Sequence, residues 1–321
     1  MLRLKQFAWM ALASIPLAMF SAKPASAGSP PLALVFLNNQ PGAVSFNDGD
    51  SFRIIKGNPQ GSQSRLAGFN TLESHGPVHR WGGWHFKELY VNAKQATLNA
   101  RRGVWHCESD LSADGYGRIL WTCLDLAEDQ IRKGLAHAMS VTDEPAHPRL
   151  LAAQADAITH KRGMWAKGVP TYIVTSIHSA DEPRDRPGLT FNRLVNTVDG
   201  HSKRWTHTDN YKECQVVCHQ PVELTLEQAK VVVGELRADP VTAPLVRGVD
   251  DILVALSINT FLQNGFVPKI FGANNDKLGG ALETLKAAGR FAEASRQEAS
   301  CGVHVTFERR YRRPKPACLK W

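Results

Sequence analysis

A chain of 321 residues with 43% apolar content is too long and too apolar to lack a packed core, so one elaborated domain or two are expected. Its formal net charge is +8, and its six cysteines, at 107, 123, 214, 218, 301 and 318, all lie beyond residue 100. No segment after the N-terminal apolar run reaches the length of a membrane span, which argues against an integral membrane protein.

The chain opens with Arg3 and Lys5, an apolar run from Phe7 to Phe20, and Ala25-Ser26-Ala27 ahead of Gly28. This is the pattern of a secretory signal peptide over residues 1–27, so the mature protein is expected to be exported, to periplasm or medium. Export removes Arg3, Lys5 and Lys23 and no acid, lowering the formal charge from +8 to +5. From Cys301 onward, Arg309, Arg310, Arg312, Arg313, Lys315 and Lys320 face only Glu308, a net +5 that suits a polyanion such as nucleic acid or serves as a solubilising tail. An even cysteine count in an exported chain favours disulfides over zinc.

Leu32 to Leu37 reads as a strand, followed by a turn from Asn38 to Gly42. Ser51–Lys56, a loop at 57–62 and Ser64–Phe69 read as a hairpin. From Phe86, apolar residues recur at helical spacing until Gly103. Val104–Ser109 and Arg118–Leu124 then read as strands joined at Asp114-Gly115. Cys107 and Cys123 are equidistant from Gly115, which predicts a cross-strand disulfide. Asp125 with Glu128 resembles a capping box for a short helix to about Gly134, and Pro148–Gly163 predicts another helix. The pattern is α+β and fits a five-stranded barrel with packed helices over residues 28–168.

Residues 169–190 read as a linker and 191–321 as a disulfide-closed module carrying a helical insertion at about 220–299. Helices are expected near 226–237, 245–263 and 277–298. Three pairings of Cys214, Cys218, Cys301 and Cys318 are possible, with a four-thiolate zinc site as the rival. The apolar stretch from Ile252 to Phe271 makes the insertion a candidate dock for a protein partner.

The richest chemistry lies between Asp48 and Glu73. Carboxylates, an amide, a hydroxyl and Arg65 there match the needs of phosphodiester hydrolysis: a carboxylate for the water, arginine for phosphate oxygens, and oxygen ligands for a hard cation. Taken singly, each of these residues reads as surface or turn. His75, His79 and His85 with Glu73 offer a zinc alternative, and His201, Trp205 and His207 read as packing.

In order and spacing, Asp48-Gly49-Asp50, Arg65-Leu66-Ala67-Gly68, Thr71-Leu72-Glu73 and Asp114-Gly115-Tyr116-Gly117-Arg118 resemble the signature of the staphylococcal nuclease-like (thermonuclease) family. The resemblance continues through Arg132-Lys133-Gly134-Leu135-Ala136, Leu151-Ala152-Ala153-Gln154 and Arg162-Gly163-Met164-Trp165, spanning about residues 44–167. It implies an oligonucleotide-binding (OB) type barrel and calcium-dependent cleavage of DNA or RNA. By position, it implies that Arg65 and Arg118 hold the phosphate and Glu73 serves the attacking water. Asp50, Asn70 and Thr71 would surround calcium, and Tyr116 would lie beside the nucleotide. Asn70 stands where the family pattern has an aspartate, which predicts weaker calcium affinity. Ser140 and Thr142 stand where it has stacking tyrosines, with Trp81 and Trp84 as possible substitutes. A module that binds nucleic acid without cleaving it is the rival reading.

Overall fold

The structure is a computed structural model that describes residues 32–75, 79–182, 190–311 and 313–320. The expected signal peptide at 1–27 lies outside them.

Strand β1 (Ala33–Leu37) buries Ala33, Val35 and Leu37 in the alternation a half-buried strand requires. It turns into β2 (Gln40–Phe46) through Asn38 and Asn39, whose φ angles of 46° and 65° suit asparagine and a two-residue hairpin. β3 (Ser51–Lys56) and β4 (Gln63–Leu66) complete the next hairpin, followed by β5 (Phe69–Thr71) and β6 (His79–Trp81). Helix α1 (Phe86–Arg102) leads to β7 (Trp105–Cys107), β8 (Ile119–Trp121), α2 (Leu124–Arg132), β9 (Ala136–Ala138) and α3 (Pro148–Thr159).

The main sheet has the order β7-β1-β2-β3-β4-β8. Its outer strands nearly meet, because Glu108 and Thr122 exchange backbone hydrogen bonds of 2.9 and 2.8 Å and the expected Cys107–Cys123 disulfide joins the same edges. The sheet therefore almost closes into a barrel around Phe46, Phe52, Ile54, Leu66, Phe69 and Trp121. Six strands make it rather than five, because the expected turn at 38–42 is only Asn38-Asn39 and the chain from Gln40 already forms β2, paired with β1 on one side and β3 on the other.

The expected capping box of α2 does not form. The helix starts at Leu124, and the Asp125 carboxylate accepts from the His106 amide at 2.9 Å, while Glu128 binds Arg132 and Arg149.

Residues 169–190, expected as a linker, contain β10 (Tyr172–Ser176), which pairs with β11 (Thr190–Asn196), itself paired with β12 (Ser202–His207). The chain continues as β13 (Val216–His219), β14 (Val222–Glu223), α4 (Leu226–Ala238), α5 (Asp251–Asn264), α6 (Asn275–Ala287), β15 (Ser295–Arg296), β16 (Ser300–Val303) and α7 (Phe307–Tyr311). β14 and β15 pair at the foot of the insertion, whose helices bury Val233, Leu236, Val254, Ile258, Phe261 and Leu282 against one another. The expected 245–263 helix starts late because Gly248, with φ 76°, breaks the chain and Asp250 caps α5. The expected 277–298 helix is α6 and stops at Ala287, ahead of Gly289 with φ 77°.

Two disulfides, Cys214–Cys318 and Cys218–Cys301, account for the four later cysteines and remove the zinc alternative there. β6, from the first half of the chain, pairs with β16 from the last, so the two halves share the sheet β13-β16-β6. Among the described residues, no helix is long and apolar enough to cross a membrane.

Candidate active site

The site grows from the turn between β2 and β3. Asp48 Oδ1 accepts from Ser51 Oγ at 2.5 Å and from the Asp50 amide at 3.3 Å, a local closure that aims Asp50 inward. A Cβ on Gly49 would lie 2.5 Å from Thr71 Cγ2 and 2.9 Å from Ala96 Cβ, so only glycine allows this turn to press against β5.

Asp50 is 2% exposed. Its Oδ1 receives Arg65 at 2.7 Å and its Oδ2 receives the Thr71 amide at 2.7 Å. The second terminal nitrogen of Arg65 donates to Asn70 Oδ1 at 2.6 Å, so one guanidinium bridges Asp50 and Asn70. Asn70 Nδ2 donates to the Thr71 carbonyl at 2.8 Å and stands 3.3 Å from His137 Nε2, contacts that orient its amide oxygen toward Arg65. β5 and β9 are register partners at Asn70 and His137, which explains why a buried histidine backs this amide.

Burial pushes the Asp50 carboxyl up to about 7, against the pull of Arg65 and the Thr71 amide and with Asp48 adding to the rise. Burial works against the charge of Arg65, but Asp50, Asp48 and Glu73 outweigh it and hold the guanidinium more firmly protonated.

Glu73 follows β5 and is partly exposed. Burial raises its pKa; Arg310, Arg65 and Arg118 oppose the rise, and Asp50 adds to it. Arg310 stands 3.9 Å away and is itself 13% exposed, anchored through Nε to the Val305 carbonyl at 3.1 Å. Arg118 lies on the lip of the barrel, tied to Asp114 by Nε at 2.8 Å and a terminal nitrogen at 2.6 Å. The Tyr116 ring sits 5.4 Å from its guanidinium and is 83% exposed. Asp114 Oδ1 also accepts the Tyr116 and Arg118 amides, and Gly117 supplies the positive φ that closes this turn.

Asp50, Arg65, Asn70 and Thr71 thus form one bonded cluster, with Glu73 within electrostatic reach of Arg65 and Arg118. Three further residues join it that the motifs do not mark. Arg310 was visible only as part of a basic cluster near the chain end. His137 lies buried behind Asn70. Arg193 of β11 stands within electrostatic reach of Arg65 and Tyr116, and no local pattern in the sequence singles it out.

The zinc alternative at His75, His79 and His85 is not formed. His79 is buried in β6, where burial, His137 and Arg310 hold its pKa down to about 3. Among the described residues, no group of three or more histidine, cysteine or acidic side chains is placed to hold a metal ion. Trp81 is buried and donates to the Gly168 carbonyl at 3.1 Å, so it is no stacking platform. Trp84 donates to the Met164 carbonyl at 2.8 Å and is covered by Lys167, 4.5 Å above its ring. Ser140 and Thr142 bond each other through their hydroxyls at 2.9 Å.

A scan against protein-family models returns no match to this chain, and a search of curated proteins returns none either.

Proposed function

We propose that the cleft beside β5 is a phosphodiesterase site and that the protein is an exported, metal-dependent nuclease of the staphylococcal nuclease-like kind, built on an OB-type barrel. The observation that carries this reading is the convergence of Asp50, Arg65, Asn70 and Thr71 in one bonded network with Glu73 and Arg118 close by. Three disulfides agree with work in an oxidising compartment.

Asp50 Oδ1 and Asn70 Oδ1 face a single cationic group, the Arg65 guanidinium, at 2.7 and 2.6 Å. Hard oxygen donors aimed at one positive charge fit calcium in kind, with only one formal charge among them. Asp50, Asn70 and Thr71 would hold the ion, which when bound supplies positive charge to a phosphate oxygen. Arg65 and Arg118 bind non-bridging phosphate oxygens through forked N–H donors, which strengthens as charge builds on them in the transition state. Glu73 takes a proton from the attacking water as its oxygen bonds to phosphorus; the ester bond on the opposite side breaks, and its oxygen takes a proton from solvent. Tyr116, exposed beside Arg118, offers its ring to the sugar or base.

One observation favours the binding-only reading: the Arg65 guanidinium already neutralises Asp50. The same assay separates the two. Mature protein is incubated with DNA and with RNA across a calcium titration, with chelator, and as Glu73→Gln. Cleavage that depends on calcium and drops in the variant is expected; binding without strand breakage at every calcium concentration, or a fully active Glu73→Gln, refutes the catalytic reading.

A further inference from the structure

Arg193 and Arg204 are direct cross-strand partners on β11 and β12, so both side chains emerge on one face of that sheet. Like charges in this position repel, and among the described residues neither guanidinium has a carboxylate partner. Arg204 is exposed and lies 4.9 Å over the Phe191 ring, which holds it flat on the sheet. Arg193 is half-buried and fixed at a bulge of β10, where its amide donates to Ser176 Oγ at 3.2 Å and its carbonyl accepts from Thr175 Oγ1 at 3.3 Å. Burial lowers the pKa of Arg193, the charges of Arg204 and Arg65 add to that, and Tyr116 opposes it, so Arg193 lies within electrostatic reach of two residues of the cleft.

The geometry points to Arg193 and Arg204 as a second phosphate subsite that holds a polynucleotide strand next to the cleft. This rests on the nucleic-acid reading of the cleft and adds to it a reason for long substrates. It also gives the β10-β11-β12 sheet a share in the ligand.

The test is fluorescence anisotropy with a labelled single-stranded 12-mer DNA, in chelator so that nothing is cut, from 50 to 200 mM salt. Arg193→Gln/Arg204→Gln is compared with wild type and with Arg247→Gln, an exposed arginine of the helical insertion. The double variant is expected to bind about tenfold or more weakly, and its salt slope to fall by about 1.4, the value for two lost single-strand phosphate contacts. Binding of a dinucleotide is expected to change little. Equal affinity and slope in double variant and wild type, or a loss matched by Arg247→Gln, overturns the subsite alone. A wild type that binds no 12-mer overturns it together with the nucleic-acid reading of the cleft. Because Arg204 is exposed, Arg204→Glu alone repeats the test without disturbing the β10 bulge.

Discussion

Mild acid should loosen the helical insertion through one histidine. His219 on β13 is 4% exposed, packed against the rings of Trp205 and Tyr172 at 5.1 and 5.8 Å. Its Nε2 lies 3.0 Å from the Gln263 carbonyl near the end of α5, and a carbonyl only accepts, so Nε2 carries the proton. Nδ1 is buried without a partner, leaving no acceptor for a second proton. Burial holds the His219 pKa down to about 4, opposed by the Gln263 carbonyl and reinforced by Lys203. The unfolded chain takes up that proton near pH 6.5, so between pH 6.5 and about 4 the unfolded state binds more protons and stability falls as pH falls. At 1.36 kcal/mol per pH unit the whole window is worth about 3 kcal/mol, and about 2 kcal/mol is lost by pH 5. Denaturant unfolding of wild type and His219→Gln at pH 7.5 and 5 measures it. Glutamine keeps an N–H for Gln263 but does not titrate, so its stability should fall by about 2 kcal/mol less. Parallel losses in the two proteins would refute the reasoning.

Replacing Cys107 and Cys123 together by serine frees the seam of the barrel across a separation of 16 residues, and should cost about 3 kcal/mol in denaturant unfolding. Gly134 and Gly163 both have positive φ, and a Cβ on either would lie 2.1 Å from a backbone oxygen of the other's segment. Gly134→Ala should therefore lower stability by about 1–3 kcal/mol, read as a drop in melting temperature, whereas Gly61→Ala, in open space, should cost less. Glu73→Gln should reduce cleavage about 10²- to 10⁴-fold with little change in DNA affinity, the span expected for a lost general base. Arg310→Ala should lower kcat more than it raises KM, and Arg310→Lys should recover part of the loss, because the pair with Glu73 orients a carboxylate.

β1, β3, β4, β7 and β8 were legible because each is a short run that ends in a marked turn, and Cys107 and Cys123 because their distances from Gly115 are equal. β2 was not, since Gln40-Pro41-Gly42 reads as turn and only pairing with β1 and β3 makes it a strand. The bonded cluster of Asp50, Arg65, Asn70 and Thr71 followed from one contiguous stretch. Arg310 and Arg193 did not, because they reach the cleft through long-range pairing of β6 with β16 and of β10 with β11. Trp81 misled for a related reason: beside Gly82 and Gly83 it reads as an exposed ring, but Leu72, Leu89, Met164 and Trp165 come from distant parts of the chain to bury it.

That shared sheet has a consequence in time. Synthesis delivers Asp50, Arg65 and Glu73 early, whereas the strand that covers β6 and the arginine that meets Glu73 come only with residues 300–310, pinned by Cys214–Cys318. A nascent or prematurely ended chain therefore lacks Arg310 beside Glu73 and leaves the edge of β6 bare. Assembly of the cleft waits for residues 300–318 to arrive and for the Cys214–Cys318 bond to hold them, which couples completion of the site to oxidation.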